Sequence, residues 1–146
     1  MTRAAGGGRP TGGDLPAVAS DQLITRAPPV PEDLQDSAPA AALWKQTIKI
    51  LINRKQLTGD HLPLVLAYCD SFDLYLTAKK MIKEDGITTP TESGIKKHPA
   101  VAVRQDALST LVRVGSLLGL DPTSYRRLIG GGGGGDPEGD NEFRTF

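Results

Sequence analysis

Residues 60–86 read DHLPLVLAYCDSFDLYLTAKKMIKEDG, and the spacing of the apolar side chains in this stretch decides the fold. At about 100° per residue, Leu62, Val65, Leu66, Cys69, Phe72 and Leu76 fall on one stripe of a helix, and Leu64, Tyr68, Tyr75 and Ile82 on another. The periodicity predicts a helix from about Asp60 to Glu84, with Gly86 near its C-terminal end. Pro63 is tolerated because the first turn of a helix needs no donor there, and Thr58-Gly59-Asp60 reads as the turn and N-cap that start it. Two apolar stripes on one helix require two neighbours.

Upstream, a helix is predicted from about Ser37 to Asn53 with Pro39 in its first turn; Trp44, Ile48, Leu51 and Ile52 share one face and Lys45, Gln46 and Lys49 another. Downstream, a third helix is predicted over Pro99–Leu118. Val103, Ala107, Leu111, Val114 and Leu118 make one of its stripes, and Val101, Leu108 and Val112 a second. Gly119 stops it, and Asp121-Pro122 caps a short fourth helix through Leu128. Residues 87–98 hold Pro90, Gly94 and two threonines without helical periodicity, so a loop or small β-hairpin joins the second and third helices. The expected fold is all-α: three main helices, two of them forming a long antiparallel helical hairpin, plus a short C-terminal helix. Each long helix shows more apolar surface than one mate covers, which points to self-association.

The ends differ in composition. Residues 1–36 are rich in Gly and Pro and poor in apolar runs, and are read as a disordered tail. Residues 129–146 contain the six-glycine run Gly130–Gly135 followed by Asp136, Glu138, Asp140 and Glu142, and are read as a flexible acidic tail. The helical core is therefore placed at 37–128. The zero net charge of the chain divides accordingly: three basic and five acidic groups over 1–36, one and four over 129–146, thirteen and eight over 37–128. A core of charge +5 between acidic ends suits a polyanionic partner and equally an ordinary solvated surface.

Residue chemistry argues against catalysis. Gly6 to Gly13 lacks the Lys-Ser/Thr and the preceding strand of a phosphate loop. His61, Cys69 and His98 make no three-ligand set at metal spacing, so no metal or other cofactor is expected. Cys69, the only cysteine, lies in the main apolar stripe, where a thiol packs rather than reacts; it forms no intramolecular disulfide. Asp70 and Asp73 read as a solvated face. The longest apolar stretch, Leu62–Cys69, is far short of the ~20 residues that span a bilayer, and no partner membrane is expected.

Three basic groupings remain: Arg54-Lys55; Lys79, Lys80 and Lys83; and Lys96, Lys97 and His98. The last two flank one connection and are the candidate DNA-binding residues, since phosphate binding needs several cations on one surface. Helix-dipole complementation explains the second grouping about as well, but not the loop pair Lys96-Lys97. Phe143, Arg144 and Phe146, at the end of the acidic tail, read either as a docking peptide or as an idle terminus.

The series Leu43-Trp44, Leu57-Thr58 with Asp60, Ala67-Tyr68-Cys69, Gly94 with Lys96-Lys97-His98-Pro99-Ala100-Val101, and Leu118-Gly119-Leu120-Asp121-Pro122 with Arg126, Arg127 and Leu128 resembles the small terminase subunits of tailed phages. The resemblance covers about residues 40–128 and neither tail; Pro63 and Tyr125 depart from it. It implies a non-enzymatic homo-oligomeric ring that works in the host cytoplasm. Such a ring binds double-stranded viral DNA and delivers it to the large terminase subunit, which carries the ATPase and nuclease. Phe143, Arg144 and Phe146 are then the candidate contacts to that large subunit. A helical transcription regulator and an oligomeric adaptor that never touches DNA are the rival readings. The long second helix followed by a Thr/Pro/Gly loop argues against the compact helix-turn-helix that a regulator needs.

Overall fold

The computed structural model describes residues 21–130. In chain order these form α1 (Glu32–Gln35), α2 (Ala38–Asn53), α3 (His61–Asp85), β1 (Thr88–Thr91), β2 (Gly94–Lys97), α4 (Pro99–Leu117) and α5 (Pro122–Ile129). The fold is mostly helical, and the connection between α3 and α4 is a two-stranded antiparallel ribbon. What the sequence predicted for residues 1–20 and 131–146, including the roles of Phe143, Arg144 and Phe146, lies outside the described residues.

Each helix boundary has a chemical cause. Ser37 caps α2 by accepting from the Ala40 N–H at 3.3 Å, and its hydroxyl also donates to the Asp73 carboxylate, which fastens the start of α2 to the middle of α3. Asp73 is thus half-buried rather than on a solvated face. The cap expected from Asp60 is not made. The turn before α3 is closed instead by the Thr58 N–H, which donates to Nδ1 of His61 at 3.2 Å, and by His61 N–H to the Thr58 carbonyl. At the far end of α4, Gly119 takes φ +66 and its N–H bonds Ser116 O while the Leu120 N–H bonds Gly115 O, the pairing of a Schellman motif. That left-handed φ favours glycine, and a Cβ there would also push aside the Leu128 side chain, whose Cδ1 would stand 2.5 Å away. Asp121 then caps α5 by accepting from the Ser124 N–H at 2.8 Å, with Pro122 as the first helical residue.

The core lies where α2, the first half of α3 and the second half of α4 meet. Trp44, Ile48 and Leu51 of α2, Val65 and Cys69 of α3, and Val114 and Leu118 at the end of α4 are buried together with Leu57. Val65 and Cys69 of the first stripe of α3 enter this core, with Leu62 and Leu66 half-buried against it. Tyr68 of the second stripe lies against α4, where Gly115 lets the helix approach its ring.

The N-terminal boundary differs from the sequence expectation. Residues 21–36 are not a tail: the Ile24 N–H donates to Leu57 O at 2.8 Å, Leu23 bridges Thr58, and Leu34 on α1 is 1% exposed inside the main core. Val30 and Ile24 pack on the same cluster. Four apolar residues scattered among prolines build no core of their own and leave no periodic signal. Leu34 is buried and the other three are half-buried nonetheless, because the rest of the core offers them an apolar surface.

Candidate nucleic-acid interface

The basic residues nominated by sequence gather at the end of the molecule farthest from the core. Lys79, Lys80 and Lys83 stand exposed on the last turns of α3, and Lys96 and Lys97 on β2. They do not form one flat surface. At about 100° per residue Lys79 and Lys83 share a side of α3 and Lys80 is turned away from Lys79 by one step; the Lys80 Nζ lies 3.9 Å from Glu84 Oε1, with both groups exposed. Such a surface pair contributes little and leaves Lys80 open to compete for another anion.

The ribbon separates the other two lysines. Thr88 pairs with Lys97, Thr89 with Lys96, Pro90 with Ile95 and Thr91 with Gly94. Directly opposed residues share a face and neighbours alternate, so Thr88, Pro90, Ile95 and Lys97 form one face and Thr89, Thr91 and Lys96 the other. Thr89 lines a groove with α3 and α4 residues, which makes its face the inward one. Lys97 therefore belongs to the outward face.

His98 has a structural task. Its Nδ1 accepts from the Ala100 N–H at 3.1 Å, capping α4 ahead of Pro99. Its Nε2 faces Asp85 Oδ2 at 3.4 Å with only 11% of the side chain exposed, and its backbone N–H donates to Ile87 O at 2.8 Å. These contacts tie the end of α3 to the start of α4 and fix the base of the ribbon. They leave the imidazole with little to offer a phosphate.

Of the other basic residues, Arg54 is committed to the fold: its Nη1 donates to Gly119 O at 2.6 Å and its guanidinium lies 3.9 Å from the centroid of the Tyr125 ring. The aromatic residue that departs from the expected pattern at position 125 thus serves as the platform that docks α5 on the end of α2. Arg126 and Arg127 sit exposed in the last turn of α5. Sequence gave no sign of the Arg54–Tyr125 pair, whose members are far apart in the chain.

Cys69 is fully buried, and burial pushes its thiol up to about 12. Among the described residues no group of three His, Cys, Asp or Glu side chains could hold a metal ion, and no helix is long and apolar enough to cross a membrane.

Apolar surface remains uncovered on both flanks of the α3–α4 pair. On one side Leu74, Met81 and Val103 are exposed and, with Ala78 and Pro99, line an open groove of about 440 Å³. On the other side of the buried line of α4 stand Leu108 and Val112, the latter 60% exposed. The second stripe expected on this helix therefore exists and has only part of a partner, Val101 being half-buried.

Residues 40–134 match the family model for phage terminase, small subunit. No curated protein and no solved structure matches the chain significantly.

Proposed function

The chain belongs to the phage terminase small subunits, a family that serves viral DNA packaging and is generally regulatory rather than catalytic, and from that premise we propose that it binds double-stranded viral DNA as a closed homo-oligomer and hands the DNA to the large terminase subunit. Its place of action is then the host cytoplasm. The observation that carries the assembly is the pair of uncovered apolar flanks on α3 and α4. A contact between unlike flanks is heterologous, and when its rotation closes it makes a ring. The DNA surface is the ribbon end with Lys79, Lys80, Lys83, Lys96 and Lys97, at the opposite end of α3 from the core. The C-terminal Phe143, Arg144 and Phe146 are the proposed contact to the large subunit, carried on the glycine-rich acidic segment.

Solution mass and a DNA titration test the two halves separately. The full chain is expected to scatter as a defined oligomer at tens of micromolar protein; a monomer would overturn the assembly. Lys96→Ala with Lys97→Ala is expected to weaken binding to any duplex and to flatten the log–log salt dependence by somewhat under one unit per lost phosphate contact, with stability changed by no more than about 0.5 kcal/mol. Unchanged affinity and slope at unchanged mass and helicity would move the DNA surface elsewhere, Arg126-Arg127 being the next candidate.

A further inference from the structure

The outward face of the ribbon carries an apolar pair that the core does not use. Ile95 is 78% exposed, and its cross-strand partner Pro90 is exposed beside it. Thr88 and Lys97 complete that face. The ribbon is held stiffly: Thr91 Oγ1 donates to Gly94 O at 2.7 Å across its tip, and His98 N–H with Ile87 O closes its base.

We propose that this outward face lies in the major groove of double-stranded DNA, with Ile95 and Pro90 against thymine methyl groups and Lys97 on phosphate. The proposal rests on the DNA-binding reading above and adds to it which face is buried and what chemistry it reads. Size supports the major groove. Two strands about 4.8 Å apart with side chains attached fit a groove roughly 12 Å wide and not one of roughly 6 Å. With the Lys97 ammonium directed to phosphate, the Thr88 hydroxyl is the remaining side-chain hydrogen-bonding group on this face, so base reading through it is chiefly apolar, and in the major groove the apolar feature of a base pair is the thymine methyl. Charge sets the orientation: Lys97 lies on the face itself, whereas Lys96 belongs to the opposite, inward face and Glu92 occupies the tip. An end-on approach would press Glu92 toward phosphate, and a flat approach keeps it clear. A second copy of the chain fits the ribbon less well, because pairing ribbon with ribbon would bring like lysines together while the apolar flanks free for copies lie on α3 and α4.

The test is fluorescence anisotropy of the full chain on one 30-base-pair duplex in two versions, with thymine and with uracil throughout, across a salt series. The thymine duplex is expected to bind more tightly, by about fourfold for each methyl group covered. Ile95→Ala should weaken binding to the thymine duplex by a comparable factor, reduce the thymine–uracil difference to the part that Pro90 supplies and leave the salt slope unchanged. Lys97→Ala should flatten the slope more than Lys96→Ala does. An Ile95→Ala protein with the parent affinity and the parent thymine preference overturns the proposal. So does one whose loss of affinity tracks a loss of oligomer mass, which would make the face a contact between copies. The underlying reading fails separately: if Lys96→Ala with Lys97→Ala leaves affinity and slope untouched, the ribbon does not bind DNA at all.

Discussion

Replacing Leu34 by Ala tests whether the segment before α2 belongs to the folded unit. Leu34 is 1% exposed and lies in the same buried cluster as Trp44 and Ile48, on a single helical turn that touches both α2 and α3. The substitution removes three carbons from a fully buried site, about 2.4 kcal/mol at roughly 0.8 kcal/mol per methylene, and leaves a cavity that α1 closes only in part. The expected cost is about 3 kcal/mol, a large share of the 5–15 kcal/mol typical of a domain. For a folded unit of this size that corresponds to a fall in Tm of roughly 10–20 °C, read by circular dichroism at 222 nm. Removing residues 1–36 altogether should cost at least as much. A Leu34→Ala protein that melts within a degree or two of the parent would mean that the segment is loosely held in solution and that the core begins at α2.

Two further substitutions probe the helix ends around the interface. His98→Ala removes the cap on α4 and the contact to Asp85, and should cost about 1 kcal/mol in thermal or urea unfolding. His98→Asn keeps an acceptor for the Ala100 N–H and should restore most of that stability with DNA affinity unchanged; a folded His98→Asn protein that binds DNA poorly would return His98 to the phosphate-binding set. Hydrogen bonds from Ser124 hold the Asp121 carboxyl below its ordinary 3.8. A folded-state value that is lowered contributes stability above 3.8 and loses it as pH falls through the lower value, so Asp121→Asn, which still caps, should flatten the acid end of the stability–pH profile. An identical acid limb in the two proteins would show that α5 docking does not depend on this charge.

The starts of α2, α4 and α5 were legible in the sequence because local chemistry sets them, whereas the Asp60 cap expected for α3 is not made and α1 left no local signal. Ser37 with Pro39, Pro99 after His98, and Asp121-Pro122 after Gly119 each act within a few residues of themselves. The apolar stripes were legible for the same reason. Contacts between distant residues were not. Nothing near Leu34 announces that α2 and α3 will cover it, nothing near Arg54 foretells the Tyr125 ring, and nothing near His98 places Asp85 beside its Nε2. The lysines were legible as a cluster, but only the strand register assigns Lys97 and Lys96 to different faces.

One of the two apolar flanks proposed for assembly lies at the ribbon end of the molecule, beside the proposed DNA surface, whereas the other lies nearer the core, with Val112 beside Tyr68 and Gly115. The start of α2 is fixed at Asp73, so the last twelve residues of α3 run on for roughly 18 Å with α4 as their main neighbour. Two helices alone bury one stripe each and leave their flanks open, and it is along this stretch that Leu74, Met81 and Val103 stay exposed. Covering those flanks with further copies would stabilise the extension and repeat the ribbon at its end. If the copies are related by one rotation, every ribbon lies on the same rim with Lys97 and Ile95 facing the same way. Each contact to DNA is weak alone, but once one ribbon is bound its neighbours meet the duplex at high effective concentration. DNA affinity is then expected to fall more steeply with loss of assembly than with the loss of any single lysine. That ordering can be checked by comparing a charge introduced on the α4 flank, Val112→Glu, with Lys97→Ala in the same titration. Lower mass with undiminished affinity in Val112→Glu would break the link between the two surfaces.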